Sequence, residues 1–301
     1  MKKRRWYRKK RMWILLILLI YLFAIQLEWA KFRYNPENLK QAIFEKTQIV
    51  PLIQHKEFEG KSIQYFQVGE NATAPVIAFV HGSPGSLADY KMYLSDPDLS
   101  QQALLLSIDR LGFGYSNFGK VESSLSIQAK SMMEVLKPFQ ENKIILVGHS
   151  LGGPIIAKMA MDYPESIDAV LLIAPSVSPE LEPSNGWRKI VNWKIFQWFS
   201  PTALMVCNQE IIPLKEELTL MSEDWGNIKI PVTIIQGEED KLVPKGNADF
   251  AKKMLVNSSS VDMKMIENGT HFILWSEPEL IKEAILDLIK RVELTGTLQG
   301  E

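Results

Sequence analysis

Short apolar runs alternate with amphipathic stretches through most of this 301-residue chain. Several runs are almost wholly apolar, as parallel strands covered on both faces are, and the stretches between them are long enough for crossover helices. The pattern therefore predicts an α/β fold with a mostly parallel sheet flanked by helices. The predicted strands cover residues 62–68, 75–80, 103–108, 144–147, 169–173, 232–235 and 261–266.

One interval, residues 176–229, breaks this alternation by separating two predicted strands by more than fifty residues. A structureless connection of that length is unusual in a compact domain, so the interval predicts an inserted helical cap. It also holds four of the eight tryptophans: Trp187, Trp193, Trp198 and Trp225. Its aromatic residues either line a substrate pocket or pack the cap onto the main domain.

The amino terminus has a different pattern. Residues 1–11 contain eight Lys and Arg residues, and residues 12–30 are apolar through Ile25. This combination predicts a single-pass membrane anchor over 12–30, with 1–11 in the cytoplasm and the main domain across the membrane. A cleaved signal peptide is the main alternative, although no small-x-small site follows; a buried soluble helix is disfavoured by the adjacent cations. Residues 31–56 are interpreted as a linker and leading helix, and residues 57–301 as the main domain.

Composition narrows the classes of partner. Lys and Arg total 34 against 35 Asp and Glu, so the charge balance gives no reason to expect nucleic acid as a partner. Cys207 is the only cysteine, which rules out an internal disulfide and the Cys/His clusters of structural zinc sites.

The strongest chemical signal is the Gly-His-Ser-Leu-Gly pentapeptide at residues 148–152, directly after the strand 144–147 and before a helix-like stretch. A nucleophile at a sharp strand-to-helix turn needs a strained backbone, and glycines two positions on either side relieve the crowding there. Ser150 is therefore the predicted nucleophile. The pentapeptide alone also occurs by chance, so the interpretation depends on its partners.

A serine hydroxyl needs a general base, and the base needs an orienting acid. His271 is the predicted base because it follows the last predicted strand, in a loop from which it can reach across the strand ends. His55 lies in a charged stretch before the sheet, His81 ends a strand, and His149 points elsewhere if Ser150 occupies the turn.

Asp240 is the predicted acid, since it follows the strand 232–235 in a loop. Glu238 and Glu239 are nearby rivals that we expect to be solvated. The predicted oxyanion hole combines the backbone N–H of Leu151 with that of Ser83, in the Gly- and Pro-rich loop after the strand 75–80.

These residues lie in motifs that together resemble the α/β-hydrolase superfamily, over roughly residues 57–291. The matching motifs are residues 81–85 (HGSPG), 109–116 (DRLGFGYS), 148–153 (GHSLGG), 237–244 and 269–272 (GTHF). The resemblance implies an eight-stranded, mostly parallel sheet, a Ser150, Asp240 and His271 triad, and a cap at 176–229. It implies no metal or organic cofactor.

The same resemblance bears on the chemistry. Branches with a similar loop include haloalkane dehalogenases and epoxide hydrolases, which use an aspartate nucleophile, so Ser150 excludes both reactions. Acyl transfer to water remains, with a small-molecule or lipid-like ester as the favoured substrate. Thioesters, amides or peptides, and the carbon-carbon bond of a cleavable diketone stay open, as does a catalytically silent binding protein.

Overall fold

A computed structural model gives the architecture of the chain. It describes residues 2–25, 27, 33–70, 73–183, 186–191 and 199–298.

Within these residues, the strands are β1 Leu52–Phe58, β2 Lys61–Val68, β3 Val76–Val80, β4 Leu104–Ile108, β5 Ile144–His149, β6 Ala169–Ile173, β7 Val232–Gly237 and β8 Val261–Ile266. These eight strands form one sheet in the order β1-β2-β4-β3-β5-β6-β7-β8. The first pairings, β1 with β2 and β2 with β4, are antiparallel, and all the others are parallel. The predicted eight-stranded, mostly parallel sheet is confirmed.

Strand β1 lies mostly in the segment 31–56, where the sequence predicted a linker and leading helix. It is an edge strand in which only Phe58 is buried and the other six residues are exposed or half-buried, so it carries little of the apolar signal that marks the other strands. A two-residue turn joins it to β2, with Glu59 at φ 49° and Gly60 at φ 72°. Both residues are left-handed, as in the tight turns that join antiparallel strands.

Helices cover both faces of the sheet. The described α-helices are α1 Lys2–Ala24, α2 Pro36–Thr47, α3 Lys91–Leu94, α4 Pro97–Gln102, α5 Leu125–Leu136, α6 Gly152–Asp162, α7 Gly186–Val191, α8 Thr202–Ile211, α9 Leu214–Met221, α10 Gly246–Met254, α11 Ile273–Ser276 and α12 Pro278–Leu298.

The sheet divides the core into two layers because successive strand residues point to opposite faces. In β3, Val76, Ala78 and Val80 contact the layer built with α5, α6, α9 and α10. Ile77 and Phe79 contact the layer built with α2, α3, α4 and α12. All five side chains are fully buried, which explains why this strand reads as a continuous apolar run.

Helix α2 shows how the chain before the sheet is ordered. The Asn35 side chain accepts a hydrogen bond from the Asn38 N–H (3.0 Å), and Pro36 occupies the first turn, where its missing N–H costs nothing. Leu39 and Ile43, four residues apart, bury one face of the helix against the sheet layer. The segment 31–56 therefore contributes to the core.

The described part of the interval 176–229 begins with a non-helical stretch over residues 176–183 and then contains α7, α8 and α9, between β6 and β7. Leu214, Leu218 and Met221 on α9 are buried against the main domain. Residues 184–185 and 192–198, including Trp193 and Trp198, lie outside the described residues.

The predicted membrane anchor over 12–30 is wrong by this structure. In the part of the chain that it describes, no helix joins sufficient length to sufficient apolar character to cross a bilayer. Helix α1 ends at Ala24, and its apolar part, from Met12 onward, is only about 20 Å long against a hydrocarbon thickness of about 30 Å. The predicted cytoplasmic amino terminus, with the main domain across the membrane, loses its basis with the anchor.

Candidate active site

Ser150 occupies the turn between β5 and α6. Its φ is 54°, a left-handed conformation that residues other than glycine rarely adopt and that occurs most often where function requires it. The Ser150 N–H donates to the Ile173 carbonyl (2.9 Å), which ties the turn to the end of the neighbouring strand β6. The hydroxyl is thereby held above the carboxyl ends of the parallel strands.

The two flanking glycines are sterically required. A Cβ atom at Gly152 would lie 2.2 Å from the Val80 carbonyl oxygen, and one at Gly148 would lie 2.7 Å from the Gly152 oxygen. No side chain fits at either position without a backbone shift. This confirms the predicted reason for glycines around the turn.

The structure brings His271 and Asp240 into line with Ser150. The His271 Nε2 atom lies 3.0 Å from the Ser150 Oγ atom, and its Nδ1 atom lies 2.7 Å from Asp240 Oδ2. An ionised carboxylate only accepts hydrogen bonds, so Nδ1 carries the ring proton and Nε2 is left to accept from the serine hydroxyl. All three side chains are buried, although their positions in the sequence span 121 residues.

The surroundings of Asp240 favour its ionised form. Burial opposes ionisation, but hydrogen bonds from His271 and from the Val243 and Leu242 N–H groups outweigh it, so the pKa of the carboxyl lies below its usual value. The two backbone donors both reach Oδ1, at 2.8 and 2.9 Å, and Gln236 Nε2 donates to Oδ2 at 3.2 Å. By contrast, the rival carboxylates Glu238 and Glu239 are exposed.

Ser83 and Leu151, whose backbone N–H groups are the predicted oxyanion donors, line the same cavity as Ser150. Leu151 stands immediately before α6, where the first N–H groups of a helix have no intrahelical acceptor. Ser83 lies in the loop after β3, and this loop touches the nucleophile turn: a Cβ atom at Gly82 would lie 3.0 Å from the Ser150 Cβ atom.

A cavity of about 390 Å³ opens above Ser150 between the strand-end loops and the cap. Its lining is mostly apolar and comes from the cap interval and from the segments that follow β7 and β8. The apolar lining residues are Leu181, Ile211, Leu214, Leu242, Val243, Phe272 and Trp275. Trp225 of the cap interval does not line it; it is buried in the core with its ring edge-on to Phe250. For Trp225, packing is therefore the correct alternative, and the side chain of Trp187 lies outside the described residues.

His149 has a role that sequence spacing did not reveal. Its Nε2–H donates to the His271 carbonyl (3.0 Å), and its ring stands 4.8 Å from the His271 ring. Burial, followed by the neighbouring His271, lowers the pKa of His149 to about 4. A neutral His149 thus holds the backbone of the proposed base, a contact between residues 122 positions apart.

Comparison with known proteins agrees with this architecture. The family model described as alpha/beta hydrolase fold matches residues 75–205. A Haemophilus influenzae protein provisionally named an esterase/lipase is 27% identical over 128 residues, which are 42% of this chain and 44% of that protein. The uncharacterized hydrolase YugF of Bacillus subtilis is 23% identical over 261 residues, which are 75% of this chain and 94% of that protein. The human protein ABHD8 is 22% identical over 253 residues.

The chain spans about half the length of the Haemophilus protein and of human ABHD8. Among solved structures, an Acinetobacter baumannii protein provisionally named a lipase superposes with a TM-score of 0.67 at 16% identity, over 87% of this chain and 98% of that one. The enol-lactonase of Burkholderia xenovorans gives 0.63 at 14% identity, over 79% and 100%. The chain therefore has the α/β-hydrolase fold, as its motifs predicted.

Proposed function

We propose that this chain is a serine hydrolase that cleaves a carboxylic ester through an acyl-enzyme on Ser150. The observation that carries the proposal is the hydrogen-bonded chain from Ser150 through His271 to Asp240, set beneath an apolar cavity. A serine in this environment has both the base and the orienting acid that it needs as a nucleophile.

In the first half of the reaction, Ser150 Oγ attacks the ester carbonyl carbon while its proton passes to His271 Nε2. The tetrahedral intermediate collapses when the bond to the leaving alcohol breaks, and His271 returns the proton to the alcohol oxygen. Asp240 stabilises the imidazolium that forms in between. In the second half, a water molecule gives a proton to His271 and attacks the acyl carbon, which releases the acid and restores the Ser150 hydroxyl.

The negative charge of each tetrahedral intermediate falls on the former carbonyl oxygen. We assign its stabilisation to the N–H groups of Leu151 and Ser83, which come from the two loops that meet at the nucleophile. The dipole of α6, whose amino terminus begins beside Ser150, adds positive potential at the same place.

An ester substrate is favoured on two grounds. The cavity lining is mostly apolar, which suits an acyl chain or an uncharged alcohol. A relative by sequence is provisionally named an esterase/lipase.

The proposal is tested with the purified full chain on a panel of p-nitrophenyl esters of increasing acyl length, with matching anilides. We expect ester hydrolysis and stable labelling of Ser150 by a fluorophosphonate. Ser150→Ala should lower kcat on the order of 10⁴-fold or more without changing the circular dichroism spectrum. Ser131→Ala, a matched buried serine on α5 outside the cavity, should leave kcat unchanged. Undiminished turnover by Ser150→Ala would refute the assignment.

A further inference from the structure

A buried ion pair joins the cap to the main domain next to the proposed oxyanion loop. Arg110, in the loop after β4, is 0% exposed, and Glu210, on cap helix α8, is 3% exposed. Their contact is bidentate, with Arg110 Nη1 donating to Oε2 at 3.0 Å and Nη2 donating to Oε1 at 3.1 Å. Planar, paired hydrogen bonds of this kind fix the relative orientation of both groups.

The same guanidinium also holds the oxyanion loop. Arg110 Nε donates to the His81 carbonyl and Nη2 donates to the Gly82 carbonyl, both at 2.9 Å. On the other side of the pair, Glu210 Oε1 accepts a hydrogen bond from the Ser83 hydroxyl. Three consecutive residues of the loop are therefore attached to one ion pair, and Ser83 is the residue that supplies a proposed oxyanion donor.

His81 completes this arrangement as a neutral group. Its Nε2 atom accepts a hydrogen bond from the backbone N–H of Arg110 (3.0 Å). The proton of the neutral ring is therefore on Nδ1, which donates to the Gly82 carbonyl (2.8 Å). Burial and the Arg110 charge keep the pKa of His81 well below its usual value. Glu210 is therefore the carboxylate that neutralises Arg110 at this point.

We propose that Arg110 and Glu210 are positioning residues that hold the Ser83 N–H at the oxyanion position. Because Glu210 lies on cap helix α8, the position of this N–H then depends on how α8 packs on the main domain. The inference rests on the proposed function for its kinetic consequence. A buried ion pair is not in itself a strong source of stability, since apolar replacements of both partners are often neutral or stabilising. The Arg110–Glu210 pair instead positions the loop through directed hydrogen bonds, which apolar side chains cannot form.

The first experiment uses Glu210→Gln in the full chain. The variant keeps the shape and one acceptor oxygen but places an NH₂ donor against the guanidinium, which breaks the bidentate contact. We expect kcat for a p-nitrophenyl ester to fall about 10- to 100-fold, with KM within about threefold of the wild-type value, because a small displacement of an oxyanion donor acts on the transition state. The matched control is Glu122→Gln, which removes an ion-paired glutamate away from the cavity and should leave kcat unchanged.

The second experiment separates positioning from simple cap stability. Arg110→Met combined with Glu210→Leu leaves no unpaired buried charge, so we expect its melting temperature to exceed that of Glu210→Leu alone. Its kcat should nevertheless stay at least about 10-fold below the wild-type value, because the His81 and Gly82 carbonyls still lack their donor. Recovery of kcat in the double variant, or wild-type kcat in Glu210→Gln, would overturn the proposal.

A third measurement does not require turnover. Hydrogen exchange of a peptide covering residues 81–86 should be at least about threefold faster in Glu210→Gln than in the wild type, and unchanged in Glu122→Gln. Unchanged exchange in Glu210→Gln contradicts the positioning role. If the wild type hydrolyses no ester in the panel, the proposed function fails, and this measurement still decides whether the ion pair orders the loop.

Discussion

The two halves of the candidate site are held in different ways. In the lower half, the strand ends that carry Ser150 and Asp240 belong to one parallel ladder, and glycines let their turns pass within contact distance of neighbouring backbone. In the upper half, Glu210 on α8 reaches the oxyanion loop in two ways: it pairs with Arg110, which donates to the His81 and Gly82 carbonyls, and it accepts from the Ser83 hydroxyl. The geometry of the lower half follows from backbone packing, whereas that of the upper half depends on individual side chains.

The largest expected effect lies in the lower half. In Asp240→Asn, the side-chain oxygen can still accept from the Leu242 and Val243 N–H groups, but the NH₂ group then faces His271 Nδ1. The imidazole must accept there, so Nε2 carries the proton and cannot take one from Ser150. We expect kcat for the best ester to fall by roughly 10⁴-fold with little change in KM.

The control for this variant is Glu239→Gln, which changes an exposed carboxylate one position away. Its kcat should stay within about twofold of the wild-type value. A loss in Glu239→Gln comparable to that in Asp240→Asn would show that the loop's net charge, and not the contact with His271, supports the base.

Backbone crowding is tested by a pair of alanine substitutions. Gly152→Ala places a Cβ atom 2.2 Å from the Val80 carbonyl oxygen, so strand or helix must shift, and we expect a loss of about 3 kcal/mol or more in the free energy of unfolding. Gly186→Ala at the start of cap helix α7 meets no atom of the described residues within 4 Å and should be neutral or stabilising by up to about 1 kcal/mol. Urea denaturation of both variants measures the difference, and equal effects would contradict it.

This contrast explains what the sequence could predict. Ser150, His271 and Asp240 each follow a predicted strand, and the carboxyl ends of parallel strands meet at one edge of a sheet, so their approach was predictable from order and spacing. The crowding that requires Gly148 and Gly152 follows from the same turn. These features depend on backbone periodicity, which is visible in one sequence.

The features that were missed depend on single contacts or on weak patterns. Arg110 meets Glu210 100 positions away, and His149 meets His271 122 positions away; no local periodicity links either pair. Strand β1 was missed because an exposed edge strand has a mixed pattern. The predicted membrane anchor was wrong because its helix was expected to continue to residue 30, whereas helix α1 ends at Ala24.

The smallest expected effect tests whether His149 joins the two strand-end loops as a neutral group. Its folded-state pKa of about 4 lies below the unfolded value of about 6.5, so between these pH values the unfolded chain binds a proton that the folded chain does not. The difference in proton binding has no effect on the free energy of unfolding above about pH 6.5. Below that pH it lowers the free energy of unfolding progressively until about pH 4. His149→Gln keeps a side-chain N–H near the His271 carbonyl but cannot titrate.

We therefore expect the free energy of unfolding to fall less steeply in His149→Gln, by up to about 1.4 kcal/mol per pH unit between pH 6.5 and 4. The difference between variant and wild type is the quantity to measure by urea denaturation, because other buried groups titrate in the same window. Burial raises the pKa of Asp89 to about 7 and that of Asp109 to about 6, and both stabilise the fold as the pH falls. His55→Gln, at an exposed histidine on β1, is the control. Parallel pH profiles for His149→Gln and wild type would mean that His149 accepts its proton as readily in the folded chain as in the unfolded one.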